Sequence, residues 1–256
     1  MHRFLYVTLV LLLWLSKAFG ETLPVLVYHH IQKKVTSDVS CTPENFESQI
    51  KAIKEAGFTP LSISETAEFL SGGLKDTKKP VLITFDDGYE SLYEYAYPTA
   101  KKQQVKMTIF VITARIGKKP QFTRYLNKEQ IKEMHDSGYF EFGSHTHDLH
   151  TDTLRIFDAF KISDNSNPVI ELIKKDLASS AETLKAVIGT APISIAWPYG
   201  KFNEYFTEAA VQNGFKVHFT SIAGTNKRGS GVYKVKRIPV TARDTVFSVL
   251  KKLGHR

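Results

Sequence analysis

Short β-rich apolar stretches alternate with helical patterns from Leu23 to Leu253, and this order leaves few architectures open. The expected strands are Leu23–Tyr28, Val81–Phe85, Lys106–Ile112, Tyr139–Ser144, Ile193–Trp197, Phe215–Thr220 and Tyr233–Val240, with a short extended run at Phe58–Leu61. Between them, Phe46, Ile50 and Ile53 have helical spacing, and a helical stretch runs to Lys102. Further helices are expected over Ile170–Ile188, Asn203–Gln212 and Asp244–Leu253. Ser62 with Glu65, and Asn127, sit where helix starts need side-chain acceptors, while Gly57, Gly138, Gly189 and Gly214 stand at helix ends. Strands separated by helices pair in parallel. Seven or eight such units without a composition shift indicate one α/β domain, a distorted or incomplete (β/α) TIM-like barrel. A doubly wound open sheet is the second reading, but no Gly-rich phosphate turn supports it. The longest expected loop, Asp152–Pro168, reads as a lid or a tolerated insertion.

The first 20 residues differ from the rest. Arg3 precedes an apolar run from Phe4 to Leu15 broken only by Thr8, and Ala18 and Gly20 follow two apart. This is the build of a secretory signal peptide, too short to span a bilayer comfortably, so residues 21–256 are expected as the exported domain. Cleavage removes two cations and no anion, lowering the formal charge from +8 to +6. Export argues against nucleic acid as the partner of this basic chain, and its paired lysines are scattered as solvated faces are. Five cations lie between Lys227 and Arg237, which reads as a basic loop and strand. The single cysteine, Cys41, excludes an internal disulfide and a thiolate metal cluster.

Four polar clusters fall at the C-terminal ends of expected strands: Tyr28-His29-His30, Thr84-Phe85-Asp86-Asp87-Gly88, Ser144-His145-Thr146-His147-Asp148-Leu149-His150 and Trp197-Pro198-Tyr199-Gly200. A barrel opens all such ends on one face, so residues distant in sequence would converge. Adjacent Asp86 and Asp87 are costly after an apolar strand unless they are solvated, paired or metal-bound, although Asp-Asp-Gly also suits a plain turn. Three histidines within six residues shift the balance. One carboxylate with two imidazoles is a common metal-ligand set that leaves positions open for water and substrate. Such a site, with a spare carboxylate as base, suits metal-assisted hydrolysis. Zinc is the first choice of metal; cobalt, nickel or iron would suit the same donors. His29 and His30 are candidates for the acid that protonates a leaving group. Backbone N–H groups near Tyr199 could steady an oxyanion, and Trp197 and Tyr199 offer flat faces for a sugar, with barrel core the alternative for Trp197.

Taken together, Thr84-Phe85-Asp86-Asp87-Gly88-Tyr89, His145-Thr146 with a later His, and Trp197-Pro198-Tyr199-Gly200 resemble the polysaccharide deacetylase (NodB-homology) family. Pro24 to Ile31, and Thr42 to Phe46 through Gly57-Phe58, resemble its branch of poly-β-1,6-N-acetylglucosamine deacetylases. The resemblance covers most of residues 23–250. It implies removal of acetyl groups, N-acetyl foremost, from a cell-surface or extracellular polysaccharide of the poly-N-acetylglucosamine or peptidoglycan type. Carried over by position, it makes Asp86 the general base and Asp87 and His145 metal ligands. The third ligand is His150, by the branch's five-residue spacing, with His147 the fallback. The acid is His29, from the first strand of a permuted order, with His30 in reserve. Leu253-Gly254-His255 matches the letters of the family's usual acid motif but ends a helix. Ala196 stands where the family often has a base-orienting arginine, so another cation does that job, Arg237 being one candidate, or none does. Two other readings remain open. A glycoside hydrolase would need carboxylates set apart and would leave the histidines unused. A non-catalytic carbohydrate-binding or wall-associated protein would keep this fold without turnover.

Overall fold

The computed structural model describes residues 20–120, 123–150 and 168–255. Seven parallel strands close into a barrel: β1 (Val25–Tyr28), β2 (Pro80–Phe85), β3 (Met107–Val111), β4 (Phe140–Ser144), β5 (Ser194–Ala196), β6 (Val217–Ala223) and β7 (Val235–Pro239). Each pairs with its neighbours in chain order, and β7 pairs with β1 to complete the ring. A two-residue strand, Thr59–Pro60, adds to β2 at its first residues. The open-sheet alternative is therefore excluded, and what forms is a closed (β/α) barrel with seven strands in its ring.

Among the described residues, seven helices surround or flank it: α1 (Pro43–Glu55), α2 (Ile63–Leu70), α3 (Tyr97–Gln103), α4 (Lys128–Asp136), α5 (Pro168–Ile188), α6 (Glu204–Gln212) and α7 (Val246–Lys252). Their starts follow the capping chemistry. Ser62 and Asn127 each make a capping box, with Glu65 and Gln130 reaching back to the cap N–H. Thr42, Asn203 and Thr245 each accept one N–H of the first turn. Two details depart from expectation. Leu23 is not continuous with β1: Thr22–Leu23 pairs antiparallel with Asn226–Lys227. The helix after β2 begins as a π-turn at Leu92–Ala96, just before Pro98. Proline lacks an N–H and its ring crowds the carbonyl four residues back, and the wider π-turn relieves that crowding. The expected signal segment, apart from Gly20, and the expected loop 152–167 lie outside the described residues. Among those described, no helix is long and apolar enough to cross a membrane.

Successive residues of each strand face opposite sides, and two apolar clusters follow that alternation. Leu26, Tyr28, Ile83, Phe85, Ile109, Val111, Phe140 and Phe142 pack outward with the helices. Val25, Leu82, Phe110, Ala196, Val217, Phe219 and Val235 fill the barrel. Phe110 and Phe219 meet at its centre, 5.0 Å between ring centroids. Gly143 makes room for them: a Cβ there would stand 2.6 Å from the Phe110 ring and from Ser194 Oγ.

Candidate active site

The inward rows of the barrel end in polar groups, and parity decides which. Val25 leads to His29 in steps of two, Leu82 to Asp86, Gly143 to His145, and Val235 to Arg237. Tyr28 pairs with Phe85, and the Asp86 N–H donates to the Tyr28 carbonyl at 3.0 Å, so His29 and Asp86 leave neighbouring strands at one level. They open into a cleft of about 390 Å³ that also includes Val39, Asp87, His145, His150, Trp197, Tyr199, Gly200, Ser221 and Arg237. That volume is ordinary for a small-molecule-sized site.

Asp86 and Asp87 are separated by backbone conformation. Asp87 is left-handed, with φ 72°, and Gly88 continues the turn at φ 78°. Thr146 (φ 69°) and Tyr199 (φ 56°) share that costly conformation in the loops that follow β4 and β5. Strain at three site loops marks where local geometry is held by the surrounding structure.

Asp86 is buried and grips Arg237 through two bonds: Nη1–H to Oδ1 and Nη2–H to Oδ2, both 2.7 Å. Arg237 Nε–H donates to the Thr220 carbonyl at 2.9 Å, and its guanidinium lies 5.8 Å from the Phe110 ring centroid. Burial pushes the Asp86 carboxyl up, but the Arg237 guanidinium foremost, with the imidazoles of His145 and His29 nearby, holds it below the usual carboxylate range. Arg237 thus supplies the cation absent at Ala196. The run from Lys227 is the basic loop and strand expected, with Lys227, Lys234 and Lys236 exposed, but Arg237 turns inward and is 3% exposed.

Asp87, His145 and His150 come together on the other side of the cleft. Asp87 Oδ1 lies 3.6 Å from His145 Nε2 and 3.3 Å from His150 Nε2, and the three donor atoms all fall within 4.8 Å of one another. Zinc–ligand bonds of 2.0–2.2 Å in a tetrahedron put neighbouring donors about 3.3–3.6 Å apart, so this spacing suits one ion. Asp87 Oδ1 is buried and has no hydrogen-bond partner. His145 Nδ1 stands 2.7 Å from the Ala196 carbonyl. A carbonyl only accepts, so Nδ1 carries the proton and Nε2 presents its lone pair to the cluster. Burial lowers the His145 pKa against the opposing pull of Asp86 and Asp87, which keeps the ring neutral. Burial would raise Asp87, but the imidazoles of His150, His145 and His29 around it hold it well below the carboxylate range. The residues present therefore fit a divalent cation.

The other candidates separate cleanly. His147 turns away: its Nδ1 lies 2.9 Å from Thr113 Oγ1. His30 points outward, stacks on Tyr89 at 4.5 Å and has Ser91 Oγ 3.0 Å from its Nδ1, whereas His29 lines the cleft with a buried, partnerless Nδ1. His255 sits against Phe58, next to the short strand that pairs with the first residue of β2. Six residues of strand, about 20 Å, separate that end from Asp86. Tyr199 is half exposed at the rim, its ring 5.1 Å from His150, and its carbonyl accepts from Ser221 Oγ at 2.9 Å. Trp197 borders the cleft but is 2% exposed, enclosed by Phe202, Phe206 and His218. Its ring is core, and of the two aromatic residues Tyr199 alone presents an exposed face.

Sequence reasoning passed over Asp176. It lies on α5 in the buried stripe of Ile173, Leu177 and Ser180, and its two oxygens accept the N–H groups of His147 and Asp148, each at 2.7 Å. A lone acid in an apolar stripe was the available signal.

A polysaccharide deacetylase family model matches residues 73–218. A poly-β-1,6-N-acetyl-D-glucosamine N-deacetylase of Staphylococcus aureus (strain MSSA476) is 32% identical over 227 residues, 88% of this chain and 76% of that protein. One of the same name from Staphylococcus epidermidis (strain RP62A) is 30% identical over 242 residues, 89% of this chain and 81% of that protein. Among solved structures, IcaB from Ammonifex degensii superposes with a TM-score of 0.79 at 30% identity, covering 91% of this chain and 97% of that one.

Proposed function

The chain belongs to the polysaccharide deacetylase family and is a carbohydrate deacetylase; on that premise we propose that it is an exported, metal-dependent enzyme removing N-acetyl groups from a poly-N-acetylglucosamine-type polymer. The observation that carries this reading is the convergence of the Asp87, His145 and His150 donors within 4.8 Å, beside an Asp86 held ionised by Arg237. The named substrate of the Staphylococcus relatives supports the choice of polymer. The sequence of residues 1–20 supports export.

Asp87, His145 and His150 would hold the divalent cation, zinc foremost, which when bound polarises the acetyl carbonyl and acidifies water. Asp86 is the base. Arg237 occupies one lone pair on each of its oxygens, and the remaining ones accept the proton of the attacking water. His29, level with Asp86 on the adjacent strand, donates a proton to the sugar nitrogen as the C–N bond breaks. The Tyr199 N–H steadies the developing oxyanion from the rim. Its left-handed backbone and the Ser221 bond to its carbonyl fix that peptide. The bidentate Arg237–Asp86 pair also removes the ground for a lapsed, merely sugar-binding protein, which was the want of a base-orienting cation.

The test is acetate release from β-1,6-glucosamine polymer, chitin oligomers, peptidoglycan and acetylxylan, before and after chelation and with zinc restored. Asp87→Asn should lose bound metal, and Asp86→Asn should keep metal but lose turnover. Full activity in a verified metal-free sample would end this reading.

A further inference from the structure

The loop between the two histidine ligands, 145–150, is only five steps long, yet it must reverse direction and return His150 beside His145. Its backbone N–H groups are captured one after another by buried side chains. Thr146 N–H donates to Ser144 Oγ at 3.0 Å. His147 N–H and Asp148 N–H donate to the two oxygens of Asp176, at 2.7 Å each. One helical turn along α5 from Asp176, Ser180 Oγ bonds Ser144 Oγ at 2.7 Å. Asp176 and Ser180 are 8% and 0% exposed, so α5 grips this loop from inside the protein. Asp176 itself touches neither the cleft nor the three donors. A carboxylate buried among apolar neighbours is expensive unless it has partners, and here those partners are the loop's own amides.

We infer that Asp176 is a positioning residue: by binding the N–H groups of His147 and Asp148 it sets the loop that presents His150 to His145 and Asp87 before any metal arrives. This rests on the metal reading of those three residues. Asp176 holds the backbone between the ligands and not the ligands themselves, so its removal should fall toward the lower end of the about 10–100-fold by which direct partners of ligands change metal affinity. Asn is isosteric but keeps one acceptor and turns an amide N–H₂ toward the second backbone donor, so one of the two bonds becomes a repulsion.

The experiment measures zinc affinity by competition with a chromophoric chelator for the full-length mature protein and for Asp176→Asn, His150→Ala and the double variant. Wild type should bind one zinc, and Asp176→Asn should bind it about tenfold or more weakly. In the His150→Ala background, Asp176→Asn should cause no further loss, because its effect travels through His150. A purely structural role would weaken both backgrounds alike and would overturn the inference, as would an unchanged affinity in Asp176→Asn. A second measurement needs no variant: in chelator-treated wild type, the His147 and Asp148 amides should exchange slowly with solvent. Fast exchange there means the loop is not set in advance, and the inference fails. If wild type binds no zinc while those amides are protected, the metal reading fails instead.

Discussion

Replacing Arg237 with methionine should turn Asp86 from a stabilising group into a pH-dependent liability. Methionine keeps an unbranched stem near Phe110 but removes both bonds to Asp86 and the bond to the Thr220 carbonyl. In the wild-type protein burial raises the Asp86 carboxyl, while Arg237, His145 and His29 lower it further. A folded pKa below the unfolded value contributes stability above about pH 3.9 and loses it as pH falls through the folded value. In the variant burial prevails, so the folded pKa lies above the unfolded one and stability is lost as pH rises. The penalty is capped by neutralising the acid instead, about 4 kcal/mol at pH 7 and about 1.5 kcal/mol at pH 5. The cap at pH 7 matches the 3–5 kcal/mol typical of stranding one member of a buried pair. The orphaned Thr220 carbonyl adds about 1 kcal/mol at either pH. For a domain of this size about 2–4 °C of Tm accompanies each kcal/mol. Thermal melts in chelator should therefore show a deficit of roughly 15 °C at pH 7 and roughly 7 °C at pH 5. The acid limb of kcat/KM, measured with zinc, should move to higher pH, since Asp86 must be ionised to act as base. Equal Tm deficits at the two pH values would refute the argument.

Three further outcomes follow from the geometry. His29→Ala should keep its fold and metal and lose kcat by about a hundredfold or more, whereas deleting residues 254–256 should leave kcat near normal, because His255 lies at the opposite end of the barrel; steady-state kinetics with metal analysis checks both. Gly200→Ala should lower kcat and Tm with metal content intact, since Gly200 is left-handed at φ 66° and its Cβ would collide with the Ser221 backbone N and hydroxyl behind Tyr199. Burial pushes the Cys41 thiol up to about 12, so a thiol reagent at pH 8 should react only as fast as the protein unfolds.

Much of this molecule is legible in its sequence because local rules act within a few residues. The Ser62–Glu65 and Asn127 caps, the glycine stops and the alternation of strands with helices fix element order and hence parallel pairing, and closure into a barrel comes from the pairing of β7 with β1. The polar clusters at strand ends name the residues available for chemistry, and the family resemblance favours His150 over His147 without deciding between them. What the sequence leaves open is direction. Barrel strands are apolar on both faces, so no alternation of polarity tells His29 from His30; closure of the ring decides it by turning Val25 and Val27 inward. Arg237 looks like one cation in a basic run until β7 sets it across the barrel mouth from Asp86, 151 residues away in sequence. Trp197 has the letters of a sugar platform, but its exposure depends on Phe202 and Phe206, which only packing brings against it. Asp176 stands in the apolar stripe of α5, and nothing near it in sequence shows that the amides of His147 and Asp148 close on it. Local propensities set the elements, whereas burial and long-range pairing are properties of the closed barrel, and the site's electrostatics follow from these.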